Sequence, residues 1–200
     1  MNTKRLTTMA LLTAAALIIH VIEAQLPLIV PIPGIKLGLS NIVTVCAMFL
    51  LGPADALGIL LCRIFWGSVF SGQMTVFLYS LGGGLLCYLT LLLFRRLVGA
   101  REVWVTGVAG AIAHNIGQIA VAAAVMKTTV VFWYLPALIL IGVFTGLFTG
   151  LCSQFFIQHL RHIGFENLKG GEQCNRLASK IQKNKIKQKY KEKDGINEIQ

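Results

Sequence analysis

The chain has 200 residues, of which 56% are hydrophobic and only 13% charged. A soluble domain carries about 25% charged residues, so this composition excludes an ordinary water-soluble globule and points to a lipid bilayer. The net charge of +10 does not indicate nucleic acid, because Lys and Arg gather in short turns and in the segment after Gly164 rather than interleaving with aromatic residues on one surface.

Lys4 and Arg5 precede an apolar run from Leu6 to Leu26, close to the ~20 residues that cross a hydrocarbon core. A signal peptide begins the same way, and Ala24 would suit cleavage, but the run is long for a signal core and further spans follow. Pro27, Pro31 and Pro33 then stop any ordinary helix, since each lacks a backbone donor and biases its predecessor toward extended backbone. In lipid such irregular backbone survives only against protein or a wet cavity. The segment from Pro31 to Asn41 is therefore a candidate binding element, with a purely structural turn as the alternative.

Five more apolar runs follow: Gly38 to Leu51, Ala54 to Phe70, Val76 to Phe94, Val103 to Met126 and Trp133 to Leu160. The expected fold is all-α, a polytopic bundle of six transmembrane helices with an irregular Pro/Gly-rich external segment between the first and second. The second run is short for a span, so its outer end is expected to start deep. Gly52-Pro53 marks the break before the third helix.

Orientation follows from the basic residues at the span ends. Lys4, Arg5, Arg95, Arg96, Arg101, Arg161 and the C-terminal segment fall on one side if the helices alternate, which puts both termini in the cytoplasm of a multi-pass cell-membrane protein. Residues 1–162 form the membrane domain. Residues 163–200, with Lys183, Lys185, Lys187, Lys189, Lys191 and Lys193, form a basic tail kept from regular structure by its own repulsion. Each basic residue near an anionic leaflet contributes about 1 kcal/mol, so lipid headgroups are its expected partner.

Ionisable residues inside spans cost about 2.5 to 3.5 kcal/mol at a helix centre and default to functional hypotheses. Here they are His20 and Glu23 in the first run, Arg63 in the third and His114 in the fifth, with Asn115 and Gln118 beside it. The spacings of three (His20, Glu23) and four (His114, Gln118) put each pair on one helix face. All fall at the depth an inward-dipping Pro31 to Asn41 segment would reach. Each has a plainer reading: Arg63 pairing with Glu23, His114 and Gln118 bonding between helices, His20 and Glu23 reaching the outer interface. Gly110, Ala113, Gly117, Ala120 and Ala124, and likewise Gly142, Gly146 and Gly150, form small-residue stripes expected to pack helices closely. Gly82-Gly83-Gly84 suggests either close packing or approach of a ligand to backbone. Cys46, Cys62, Cys87, Cys152 and Cys174 lack metal-ligand spacing and read as small apolar filler. No metal or cofactor is expected.

The strings from Pro33 to Asn41, Leu51-Gly52, Arg63, Tyr79 to Gly83 and Ala113 to Gln118 resemble a bacterial membrane family labelled both heptaprenyl diphosphate synthase component I and Gx transporter. The resemblance covers roughly residues 6 to 160 and leaves the basic tail outside. By architecture the chain is also similar to the substrate-binding S components of energy-coupling factor transporters. That likeness implies a substrate enclosed by outer loops, and an Ala-xxx-Ala motif, here Ala10 and Ala14, facing a transmembrane coupling subunit served by ATPases. The synthase label implies chemistry for which the residues are lacking. Prenyl diphosphate synthesis holds Mg²⁺ through clustered aspartates, and the two aspartates of this chain, Asp55 and Asp194, are far apart in sequence.

The leading expectation is thus a non-enzymatic, substrate-binding membrane subunit for uptake of a small, anionic solute. Lys36 and Arg63 would attract its charge, Asn41, Asn115 and Gln118 would orient it, and His114 and Glu23 would complete the site. No Gly-xxxx-Gly-Lys-Ser/Thr loop is present, so ATP hydrolysis would fall to partners. The alternatives are a non-catalytic membrane accessory to heptaprenyl diphosphate or quinone biosynthesis, and a self-sufficient secondary transporter with Glu23 or His114 carrying protons.

Overall fold

The computed structural model describes residues 3–25, 36–97 and 102–162. Pro27, Pro31, Pro33, Arg101, Cys174 and the basic segment 163–200 lie outside the described residues, and with them the expected boundary between membrane domain and tail. The elements are α1 (Thr3–Gln25), α2 (Asn41–Leu50), α3 (Pro53–Ser71), α4 (Met74–Leu97), α5 (Val103–Met126), a 3-10 turn (Val130–Tyr134) and α6 (Leu135–His162).

Among the described residues, five stretches are long and apolar enough to cross a membrane: α1, α3, α4, α5 and Val130–Leu160, which joins the 3-10 turn to α6. The second run gives only the 10 residues of α2, about 15 Å at 1.5 Å per residue, or half of a ~30 Å hydrocarbon core. Six spans were expected; five helices are long enough, and α2 is too short to cross alone. Its start also comes later than that of the apolar run. Gly38 has φ +81°, a left-handed conformation no helix contains, so helix geometry begins only after Ser40. Leu11, Ile18, Phe65, Phe70, Leu89, Phe144, Phe148 and Phe155 are exposed around the outside, an apolar belt that lipid would cover. The protein is a multi-pass membrane protein.

Instead of spanning, α2 is the core. Val43 to Leu50 are all buried, Phe49 and Met48 completely, as befits a helix that is apolar all round. It packs against α1, α3, α4, α5 and α6. Its first turn closes with Asn41 N donating to Gly38 O at 2.9 Å and Ile42 N to Leu39 O at 3.1 Å. At its end Leu51 N and Gly52 N both donate to Ala47 O, at 2.9 and 3.1 Å. Gly52, with φ +115°, then turns the chain into Pro53 at the first position of α3, where a missing N–H costs nothing.

Helices α1 and α3 run parallel. At one end Arg5 Nε and Nη2 donate to Asp55 Oδ2 and Oδ1, both at 2.6 Å. Toward the other end a Cβ added at Gly67 would lie 2.7 Å from His20 Nε2. Asp55 is buried and sits in the first turn of α3, where a carboxylate also complements the helix dipole. Because fork and carboxylate act as one unit, Arg5→Gln and Asp55→Asn are each expected to lower the melting temperature in detergent. The double variant should fall no further than the worse single one, as a double-mutant cycle would measure.

The other half of the bundle, α4, α5 and α6, is joined through glycines. A Cβ at Gly107 would lie 2.6 Å from Gly150 Cα, at Gly146 2.7 Å from Val108 Cα, and at Gly150 2.7 Å from Trp104 O. The small-residue stripe of α6 thus brings backbone against backbone on α5. The three consecutive glycines of α4 serve two neighbours. Gly82 and Gly83 face α5 at Gly117, Val121, His114 and Gln118, while Gly84 faces Leu60 and Ile64 of α3.

Candidate functional site

The unwound residues before α2 lie among polar side chains from α1, α3 and α5. Glu23 is buried, and one of its oxygens, Oε1, accepts the backbone N–H of Gly38. One turn earlier on the same face, His20 Nε2 lies 2.9 Å from Lys36 Nζ. An ammonium carries only donors, so the imidazole nitrogen accepts there. The i, i+3 spacing read from sequence therefore lets α1 hold the incoming segment at two points.

From α3, Arg63 approaches from another side. Its Nη1 donates to Ser40 Oγ at 2.6 Å, and Nη1 and Nη2 both lie 3.3 Å from Asn41 Oδ1. Arg63 is 3% exposed. Its fork thus fixes the two residues that open α2, a task for which a planar guanidinium is suited and an ammonium is not. Lys36, Glu23 and Arg63 lie within electrostatic range of one another.

From α5, the His114 ring is held between Gly38 and Gly83. A Cβ at Gly38 would stand 3.0 Å from its Cδ2 and 2.9 Å from Asn41 Nδ2, and one at Gly83 would stand 2.9 Å from its Cε1. Gln118, one turn on, lies beside Gly83 as well, its Cγ 2.8 Å from the same hypothetical Cβ. Gly38→Ala is accordingly expected to destabilise by about 2 kcal/mol or more, since left-handed backbone alone costs an L residue about 1–2 kcal/mol and the methyl has no room. Denaturation of the purified protein would measure it.

Of the residues expected at one site, Glu23, Lys36, Asn41, Arg63 and His114 come together around the start of α2, with Gln118 one turn beyond His114 against Gly83. Asn115 does not. Its Nδ2 donates to Leu138 O at 2.7 Å, tying α5 to α6 on a different face. Ala10 and Ala14 lie on the exposed side of α1, away from the cluster. Two members were not singled out by sequence. Ser40, directly before α2, makes no capping bond and accepts from Arg63 instead. Gly38 contributes its N–H.

Pairing in this cluster is incomplete, as it also is at Thr106 Oγ1 and Asn115 Oδ1 elsewhere on α5, but here the unpaired atoms come from several helices. Glu23 Oε2, Asn41 Nδ2, Arg63 Nε, His114 Nδ1 and Gln118 Oε1 are all buried without a protein hydrogen-bond partner. Buried polar groups are otherwise satisfied in more than about 90% of cases, and each unmet group costs roughly 1–3 kcal/mol. A second molecule carrying donors and acceptors would answer them.

The family model described as heptaprenyl diphosphate synthase component I matches residues 12–156. The chain belongs to this family. The matched range of heptaprenyl diphosphate synthase component I runs from α1 into α6 and takes in every member of the cluster, while Ala10 and the basic segment lie outside it. No curated protein and no solved structure matches the chain.

Proposed function

We propose that this protein is a substrate-binding subunit of a small-molecule uptake system, holding its solute at the start of α2 inside the membrane bundle. The observation that carries this reading is the set of buried, unpartnered polar atoms on Glu23, Asn41, Arg63, His114 and Gln118, gathered where a helix begins within the bundle. A broken helix inside a bilayer is tolerated where it is buried in protein or lines a cavity, and transporters use such breaks to bind substrate. In this reading the cluster at the start of α2 opens outward, and both termini are cytoplasmic. Energy comes from a coupling subunit and ATPases, docked on the exposed face of α1 at Ala10 and Ala14.

The family name favours a second reading, a non-catalytic membrane partner in heptaprenyl diphosphate or quinone biosynthesis. Asp55, one of the two aspartates in the chain, already accepts from Nε and Nη2 of Arg5, which argues against a Mg²⁺-diphosphate centre built by this subunit.

Four measurements test these readings. Native mass spectrometry of the protein from lipid nanodiscs is expected to find a small retained solute, lost in Arg63→Leu. Co-purification with a membrane coupling protein and ATPases should fail when Ala14 becomes Trp. Prenyl transfer by a soluble synthase that depends on adding this chain, with no retained solute, would overturn the transport reading. A Cys at position 36 that reacts only with reagent on the cytoplasmic side would overturn the outward opening.

A further inference from the structure

We infer that the cluster at the start of α2 selects a small monoanion that also presents a hydroxyl or N–H donor. This rests on the substrate-binding reading above and gives it a ligand class.

Charge sets the first requirement. Lys36 and Arg63 are each +1 and Glu23 is −1, so with both imidazoles neutral the cluster holds a formal +1. All three lie within electrostatic range of one another, in surroundings where uncompensated charge is costly. One negative charge on the ligand brings the site to zero. A diphosphate, with three or so negative charges at neutral pH, would leave an excess beside the Glu23 carboxylate.

The unpartnered atoms set the second requirement. Arg63 Nε and Asn41 Nδ2 are donors in need of an acceptor, and they sit on the two side chains joined through Asn41 Oδ1. Their side chains meet at the start of α2, where the partial charge of the helix is positive. Glu23 Oε2 and Gln118 Oε1 are acceptors in need of a donor. A simple carboxylate answers the first pair only; a hydroxy- or amido-carboxylate answers both. Arg63 is 3%, Asn41 4%, Glu23 5% and Gln118 1% exposed, so bulk water does not satisfy them freely.

The test uses the full chain in lipid nanodiscs at fixed ionic strength, following thermal unfolding against glycolate, acetate, glycolamide, malonate and inorganic diphosphate. Glycolate is expected to protect at a concentration at least tenfold lower than acetate, which lacks the hydroxyl, and than glycolamide, which lacks the charge. Malonate should be weaker and diphosphate inactive. Glu23→Gln raises the formal charge to +2 and should turn the preference toward malonate. Equal protection by glycolamide, stronger protection by malonate or diphosphate in the unaltered protein, or protection by none of the five would overturn the inference. Native mass spectrometry keeps the two failures apart. A retained solute that is neutral or multiply charged sinks the ligand class alone, whereas no retained solute and no protection sink the binding reading too.

Discussion

A single methyl group at Gly117 is expected to lower the stability of the bundle by about 1–3 kcal/mol, the range for overpacking a filled interior. The Cβ of Gly117→Ala would stand 2.6 Å from Gly82 O, 2.9 Å from Gly83 Cα and 3.0 Å from Gly82 C. All three neighbours are backbone, so no flexible side chain can swing aside, and α4 must move away from α5. The movement would also loosen Gly83 from His114 and Gln118, so any bound solute should be lost with the packing. Gly58→Ala is the control. Its added Cβ meets only Met9 Cε at 3.6 Å, an ordinary contact. Removing a helix-interior glycine should there be neutral or favourable by up to about 1 kcal/mol. Thermal unfolding of both variants in one detergent measures the contrast. Equal melting temperatures would mean that close backbone packing is not what joins these helices.

Much of this arrangement is legible in the sequence, and what escapes does so for identifiable reasons. Apolar runs locate the long helices within a few residues, because lipid demands a continuous apolar stretch of fixed length. Small residues at spacings of three and four mark the helix faces that pack closely, as Gly110, Gly117, Gly142, Gly146 and Gly150 do. Periodicity on one helix does not say which neighbour it meets. Nothing in the sequence pairs Arg5 with Asp55, fifty positions away, or makes α1 and α3 parallel neighbours. The second run misled by three residues at its start, since the left-handed Gly38 looks like any glycine at a helix entrance. Asn115 could have been separated from His114 in advance: adjacent helical residues are turned about 100° apart, so only the i, i+4 partner Gln118 can share the face of His114. Ser40 carried a signal too, a hydroxyl directly before a helix, but that signal normally means a cap. Here Arg63 claims it.

Substitutions at Arg63 should separate charge from shape. Arg63→Leu removes a fully buried cation and leaves Ser40 Oγ and Asn41 Oδ1 without their donor. Truncating one side of a buried charged network costs about 3–5 kcal/mol, a factor of more than 100 in a folding equilibrium. It also takes the formal charge of the cluster from +1 to zero, so binding of a monoanion should be abolished. Arg63→Lys keeps the charge but replaces a five-donor fork with a point charge on a flexible stem. An ammonium cannot hold both Ser40 and Asn41 in the geometry of the fork, so a loss of one charge-assisted hydrogen bond is expected, about 1.5–3 kcal/mol. Preference for a monoanion over a neutral analogue should survive in the Lys variant even where affinity falls. Unfolding and glycolate protection, measured together on the three proteins, give two independent rankings. Stability should fall from Arg to Lys to Leu, while selectivity should be shared by Arg and Lys and absent in Leu. A Leu variant that still distinguishes glycolate from glycolamide would assign the anion to Lys36 and leave Arg63 the purely structural role of fixing the first turn of α2.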